Sequence, residues 1–298
     1  MTDLEQLPVP WEDLRRVVAL AVAEDLPLGD PMGEVVGDRP ARAVLTSRTA
    51  GTLAGLVAVP LVLDEVSRRL GTGRAEARTA ARDGEAVSGG QVLGTLVGPA
   101  GTLLSAERSL LNFLTHLSGV ATATAAMVSA VAGTGALIRD TRKTLPGLRA
   151  LEKYAVRCGG GSNHRMSLSE GILVKDNHVA AMGGVAAAVA AARRAATKCS
   201  SPLPVEVEVD DLRQLDEALA AGADLVLLDN MGLDMMAAAV ARARAMGAKV
   251  EASGGIHLGT ARAVAECGVD YIAVGAITHS APALDIGLDW EMTGPAPA

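Results

Sequence analysis

The sequence predicts an α/β protein whose second half is a barrel of parallel strands, and three observations carry that prediction. Apolar strand-like runs alternate with helical patterns from residue 136 onward, the pattern of a parallel sheet with right-handed crossovers. Polar clusters stand at the C-terminal end of each run. A net-positive stretch, residues 138–179, lies inside a chain of formal charge -7, which points to a small polyanionic ligand.

The strand-like runs are Ala136–Ile138, Ile172–Val174, Val205–Val209, Leu225–Leu228, Lys249–Ala252 and Tyr271–Val274. Between them, helical periodicity appears over Leu148–Val156, Val185–Ala196, Leu212–Ala220, Met235–Ala245 and Thr260–Cys267. The number of units supports an α/β barrel over a short open sheet.

Ahead of the barrel, residues 4–28 read as a helix, with Leu14, Val17, Val18, Ala21 and Val22 as its apolar stripe and Pro27 and Gly29 as its stop. Residues 39–98 read mostly as strands and turns, with alternation over Ala41–Thr46 and again over Thr52–Val57. Pro60 opens a helix that runs through Leu70. The turn chemistry of residues 83–90 resembles a lipoyl- or biotinyl-type carrier hairpin, but no lysine occupies it, which excludes that function. Thr102 to about Val131 reads as one long helix or two, with Gly119 as the candidate break.

Composition excludes several classes. Aromatic residues make up 2% of the chain, too few for a stacking platform for single-stranded nucleic acid, and the acidic balance opposes general nucleic-acid binding. Cys158, Cys199 and Cys267 have no ligand-like spacing, so neither a disulfide framework nor a structural zinc site is expected. The acidic N-terminus lacks a signal-peptide pattern. Residues 109–138 carry no Asp, Glu, Lys or Arg, yet Asn112, His116 and several glycines punctuate them, so they read as a buried helix and a turn rather than a membrane span. The expected location is cytoplasmic.

Within the basic stretch, Arg149, Lys153 and Arg157 recur at helical spacing and read as a solvated helix face. That explanation does not extend to Thr141-Arg142-Lys143, Asn163-His164-Arg165 or Lys175-Asp176-Asn177-His178, which sit at strand ends or in a Gly-rich loop. Arg142, Arg165 and Lys175 offer positive charge for carboxylates or phosphates. Glu206 and Glu208 share one face of their strand while Val205, Val207 and Val209 face the other way. With Asp229 they form an acidic side suited to Mg2+ or a sugar diol. Gly-rich strand ends at Ser253-Gly254-Gly255 and Val274-Gly275-Ala276 allow close approach of backbone N–H groups to a phosphate. A basic side, an acidic side and a phosphate cradle together fit phosphoribosyl transfer from a sugar phosphate to an anionic acceptor.

These motifs resemble a known family. Thr141-Arg142-Lys143-Thr144-Leu145-Pro146-Gly147-Leu148-Arg149, Gly159-Gly160-Gly161-Ser162-Asn163-His164-Arg165 and Lys175-Asp176-Asn177-His178 look like the corresponding segments of quinolinate phosphoribosyltransferases. Leu227-Leu228-Asp229-Asn230, Glu251-Ala252-Ser253-Gly254-Gly255 and residues 274–280 continue the match in order. The resemblance implies an N-terminal α/β sandwich domain (residues 1–117, joined again by 281–298) and an open TIM-like α/β barrel over residues 118–280. It implies a homodimer with shared active sites, or a higher oligomer. The reaction it implies joins quinolinate and phosphoribosyl pyrophosphate with Mg2+, giving nicotinate mononucleotide, pyrophosphate and CO2 in NAD biosynthesis.

By the same resemblance, Arg142, His164, Arg165 and Lys175 would line the quinolinate site, Thr141 would be a further substrate-binding residue, and Arg108 would reach in from the partner subunit. Lys143, Glu208 and Asp229 would be the catalytic set at the ribosyl pyrophosphate, with Glu208 and Asp229 holding the metal. Ser253, Gly254, Gly255, Val274, Gly275 and Ala276 would cradle phosphate. One segment departs from the family: a Gly-Asp-x-Thr run is common early in its chains, whereas here Gly29-Asp30 is followed by Pro31-Met32. The rival readings are a paralogue acting on another pyridine or aromatic acid, and a degenerate homologue that binds without catalysing. The latter predicts lost charges at the strand ends, and none is lost.

Overall fold

The computed structural model describes residues 10–198 and 202–292. In chain order its elements are α1 (Trp11–Asp25), α2 (Pro31–Val36), β1 (Pro40–Ser47), β2 (Gly51–Thr52), α3 (Val59–Leu70), β3 (Glu76–Thr79), β4 (Ala86–Val87), β5 (Val92–Pro99) and α4 (Ala100–Ala130). There follow β6 (Leu137–Arg139), α5 (Arg149–Cys158), β7 (Ile172–Val174), α6 (Asp176–Met182), α7 (Val185–Ala196), β8 (Val205–Val209), α8 (Leu212–Ala220) and β9 (Leu225–Asp229). The chain closes with α9 (Leu233–Ala245), β10 (Lys249–Ser253), α10 (Leu258–Glu266), β11 (Tyr271–Ala273), α11 (Ala276–His279) and β12 (Ile286–Met292). Two compact units result: one from residues up to 125 with 144–160 and the segment from 277 on, the other from 126–143 with 161–276.

The first unit is built on an antiparallel sheet of order β12-β1-β5-β3. Alternation in β1 buries Ala41, Ala43 and Leu45. In α1 the buried positions are Leu14, Val18 and Val22, one turn apart. Each contributes about 1.5–3 kcal/mol by leaving water. Residues 4–9 of the helix expected there lie outside the described residues. The atypical Gly29–Met32 segment makes a helix start: Asp30 Oδ1 accepts the Met32 N–H at 3.0 Å, Pro31 opens the helix, and Ser105 Oγ donates to Asp30 Oδ2 at 2.7 Å.

Two local expectations are corrected. Thr52–Val57 is not a strand beyond Thr52, because Gly55 turns the chain at φ 103° and the Leu56 N–H is captured by Asp83 Oδ1 at 2.9 Å, starting a short 3-10 turn over Leu56–Ala58. Burial pushes the Asp83 carboxyl up, and the Tyr154 hydroxyl donates to its other oxygen at 2.9 Å. Of the two alternatives for Thr102–Val131, the structure has the single helix, α4, continuous through Gly119. Gly119 lets the chain pass, since a Cβ there would lie 2.3 Å from the Pro282 carbonyl oxygen. α4 has the length and apolarity of a membrane span, but half of its most apolar window is buried inside the protein. Of the basic helix face, Lys153 is buried rather than solvated, at 1% exposure.

The second unit is a parallel sheet of order β6-β11-β10-β9-β8-β7. Strands β7 to β11 pair in sequence order, and β6 pairs with β11, so the sheet curls back toward its start as an open α/β barrel. Only the β6–β7 junction carries no ladder among the described residues. Register and alternation then sort the side chains. Val207, Val209, Val226, Leu228, Val250, Ala252 and Ile272 are buried on the face toward the helices. Lys175, Glu206, Glu208, Leu227, Asp229, Glu251, Ser253 and Ala273 fall on the opposite face.

Candidate active site

That opposite face lines a cavity of about 560 Å³ at the C-terminal ends of the strands, where barrels of this kind place their chemistry. Thr141, Arg142, Lys143, His164, Arg165, Lys175, Glu208, Asp229, Ser253, Gly254 and Gly255 all meet there. Every one belongs to the second unit. Arg108 does not join them within the chain: it stands on α4 in the first unit and lines another cavity, of about 320 Å³, with Glu24, Asn112 and His116. Val274, Gly275 and Ala276 are not among the lining residues. The Val274 side chain is buried on the helix side, and its N–H donates to the Arg139 carbonyl at 2.9 Å.

The free edge of β6 positions the histidine and one arginine. Residues 161–165 run alongside it, with Ser162 N–H donating to Ile138 O at 2.8 Å and a parallel bridge joining Arg139 and Ser162. Asp140, fully buried, accepts the His164 N–H at 2.9 Å and the Asn163 side-chain amide at 2.5 Å. The arginine following His164 donates its own N–H to His164 Nδ1 at 2.7 Å and anchors its guanidinium on Gly171 O at 2.7 Å. Burial lowers the pKa of Arg165, and the charge of Arg142 lowers it further against the pull of Glu206. Two guanidiniums thus crowd one cavity wall, an arrangement that a dicarboxylate would relieve.

Lys175 follows β7 and pairs with Glu208 Oε2 at 2.6 Å. His178 has a local duty: its Nδ1 accepts the Lys175 N–H at 2.9 Å and so starts α6. Thr141 Oγ1 accepts the Lys143 N–H at 2.9 Å, bending the chain so that Arg142 and Lys143 follow at the cavity. Farther along, Glu152, fully buried, accepts the Leu145 N–H at 3.1 Å and pairs with His116 at 2.9 Å.

At the wall of the cavity lies a cluster whose pairings the sequence did not disclose. Glu251 Oε2 pairs with Arg139 Nη1 at 2.6 Å, and Arg139 stacks over the Tyr271 ring at 3.6 Å. Glu206 Oε2 accepts from His164 Nε2 at 2.7 Å, and Glu251 Oε1 stands 3.7 Å from the same nitrogen. Burial and then the neighbouring Glu206 charge push the Glu251 carboxyl up to about 7, against the pull of His164 and Arg139. His164, Glu206 and Glu251 present their ligand atoms within 4.8 Å of one another. A cation on His164 is nonetheless disfavoured. Nδ1 accepts a backbone N–H, so the ring hydrogen sits on Nε2, where a metal would need the lone pair. The sequence put His164 at the acceptor site, Glu206 on the acidic side and Glu251 in a family motif, but parity could not show that Glu206 is taken by His164 and Glu251 by Arg139.

Gly254 is required as glycine. Its φ is +96°, and an added Cβ would lie 2.2 Å from Asn230 Oδ1. Gly254→Ala is expected to lower stability by about 1–3 kcal/mol through backbone strain and overlap, read as a shift of the urea midpoint at unchanged slope. An unshifted midpoint would contradict this close packing.

Comparison with known proteins agrees with this geometry over most of the chain. Residues 26–118 match the N-terminal domain, and residues 120–289 the C-terminal domain, of quinolinate phosphoribosyl transferase. A nicotinate-nucleotide pyrophosphorylase [carboxylating] of Mycobacterium leprae is 48% identical over 285 residues, covering 94% of this chain and 98% of its own. A probable enzyme of the same description from Bacillus subtilis is 39% identical, with 93% of each chain covered. The solved structure of the nicotinate-nucleotide pyrophosphorylase from Francisella tularensis superposes with a TM-score of 0.89 at 36% identity, covering 96% of this chain and 98% of that one. With both domains matched in order and the strand-end cations gathered at one barrel mouth, the chain belongs to the quinolinate phosphoribosyl transferase family.

Proposed function

We propose that the protein transfers the phosphoribosyl group of phosphoribosyl pyrophosphate to quinolinate with loss of CO2, forming nicotinate mononucleotide and pyrophosphate for NAD biosynthesis. The observation that carries this reading is the cavity wall on which Arg142 and Arg165 crowd together, with Lys175 and Lys143 beside them. Such a wall suits a rigid dianion rather than a monoacid. The acidic side, Glu208 and Asp229, offers hard oxygen donors at the same cavity, which fits Mg2+. When bound, Mg2+ would offset the charge of the pyrophosphate leaving group.

The residues of this chain do the rest. Arg142 and Arg165 hold the two carboxylates, with Thr141 Oγ1 fixing the Arg142–Lys143 bend. Lys175 is released from Glu208 as each finds a ligand. Lys143 meets the pyrophosphate, and the turn at Ser253–Gly255 offers backbone N–H groups to phosphate. The pyridine nitrogen then attacks C1 of the ribosyl group as the C1–O bond to pyrophosphate breaks. The fixed charges at both ends stabilise the separation. In the pyridinium that results, the C2–carboxylate bond breaks, its electron pair stays at C2 beside the positive nitrogen, and a proton takes the place of CO2. A homodimer would bring Arg108 of one subunit to the site of the other.

Purified protein supplied with quinolinate, phosphoribosyl pyrophosphate and Mg2+ should form the mononucleotide, stop on chelation with EDTA and resume with excess Mg2+. Continued turnover in EDTA would contradict the metal assignment. The shared site is tested by mixing Arg108→Ala and Arg142→Ala proteins, each expected to be nearly inactive. Exchange of subunits should restore activity in part, and its absence after demonstrated exchange would contradict sharing.

A further inference from the structure

Asn230 is the one non-glycine residue with a positive φ among the described residues, at 53°. L-residues adopt this region rarely, asparagine more readily than most, and such conformations persist where the surroundings enforce them. Three contacts do so here. The Asn230 N–H donates to Ser253 O at 3.0 Å, one step beyond the Asp229–Ser253 pair that ends the β9–β10 ladder. Its side-chain Nδ2 donates to Asp229 Oδ2 at 2.8 Å. Its Oδ1 occupies the space a side chain at Gly254 would need. Asp229 Oδ1 makes no hydrogen bond among the described residues, so it is left for a ligand.

We propose that Asn230 is a positioning residue for the reaction: its strained backbone and its amide lock the Asp229 carboxylate and the Gly254–Gly255 turn into one preformed surface for the metal and pyrophosphate of the ribosyl donor. The inference rests on the assignment of Asp229 to Mg2+ given above. An amide at 2.8 Å selects one carboxylate orientation, and the same residue sets how closely the glycine turn approaches. The strain is therefore a cost retained at the position where two halves of the donor site must agree. Neither the acceptor wall at Arg142 and Arg165 nor the sheet itself depends on it.

Asn230→Gly separates this role from a structural one. Glycine takes φ near 53° without strain and keeps the N–H to Ser253 O, so only the amide is lost. Partners that orient metal-binding carboxylates cost roughly 10–100-fold when removed. We expect the KM for phosphoribosyl pyrophosphate to rise roughly tenfold at unchanged quinolinate KM and melting temperature. Mn2+ binding, followed by electron paramagnetic resonance in the presence of phosphoribosyl pyrophosphate, should weaken by a similar factor. Asp229→Asn is the control. If it weakens Mn2+ and Asn230→Gly does not, or if Asn230→Gly loses both substrates equally, the positioning role is overturned while the metal assignment stands. If Asp229→Asn leaves Mn2+ affinity unchanged, the metal assignment falls and the inference with it.

Discussion

Arg142→Ala is expected to lower kcat/KM for quinolinate by roughly 10²–10³-fold while leaving the protein folded. Truncating one partner of a buried, hydrogen-bonded charge pair costs about 2–5 kcal/mol, and each 1.36 kcal/mol is about tenfold in rate. The stability expectation has the opposite sign. Arg142 and Arg165 repel one another across the cavity wall, so removing one charge should leave the melting temperature unchanged or slightly raised. Arg142→Lys keeps the charge but loses the planar fork, and should recover only part of the rate. Steady-state kinetics beside thermal melts decide the matter: a loss of activity that tracks a loss of folded protein would contradict a binding role.

Glu251 yields the second large effect. It is fully buried, pairs with Arg139 at 2.6 Å, and has its carboxyl pushed up to about 7 by burial and by Glu206. Removing one partner of a buried pair leaves the other uncompensated, so Glu251→Ala is expected to cost about 3–5 kcal/mol of stability. The pH dependence follows from the direction of the shift. With the folded pKa above the ordinary 4.5, the folded state binds the proton more tightly than the unfolded chain. The stability so gained is fully present below about pH 4.5 and is lost as pH rises through about 7. Glu251→Gln, which mimics the protonated acid, should flatten the stability profile across that window. Denaturant melts of both proteins at several pH values test it, and parallel profiles would contradict a raised Glu251.

How much of this was legible in the sequence can be judged residue by residue. The barrel strands were, because period-two alternation and turn residues are local signals. Val205–Val209, Val185–Ala196 and Leu212–Ala220 fall in the structure where periodicity put them. The inward parity of Glu206 and Glu208 was legible for the same reason. Thr52–Val57 was misread because the competing contact comes from Asp83, which no local window contains. The Arg139–Glu251 pair joins residues 112 positions apart, on strands β6 and β10 with β11 between them, so only the assembled sheet brings their side chains together. Lys153 read as a solvated helix face because spacing reports a stripe and not which side of the helix is covered. Asn230 was visible as a letter in a motif, but its backbone conformation is not a property of composition or spacing.

The proposed function makes one claim above all: the acceptor carries two carboxylates, and one of them leaves. The most direct measurement supplies quinolinate labelled in the C2 carboxylate, phosphoribosyl pyrophosphate and Mg2+, and counts labelled CO2 against mononucleotide and pyrophosphate from the same reaction. The account predicts equal amounts of all three, with nicotinate, which lacks the C2 carboxylate, a poor acceptor in the same assay. Mononucleotide formed without labelled CO2, or nicotinate used as readily as quinolinate, would contradict it.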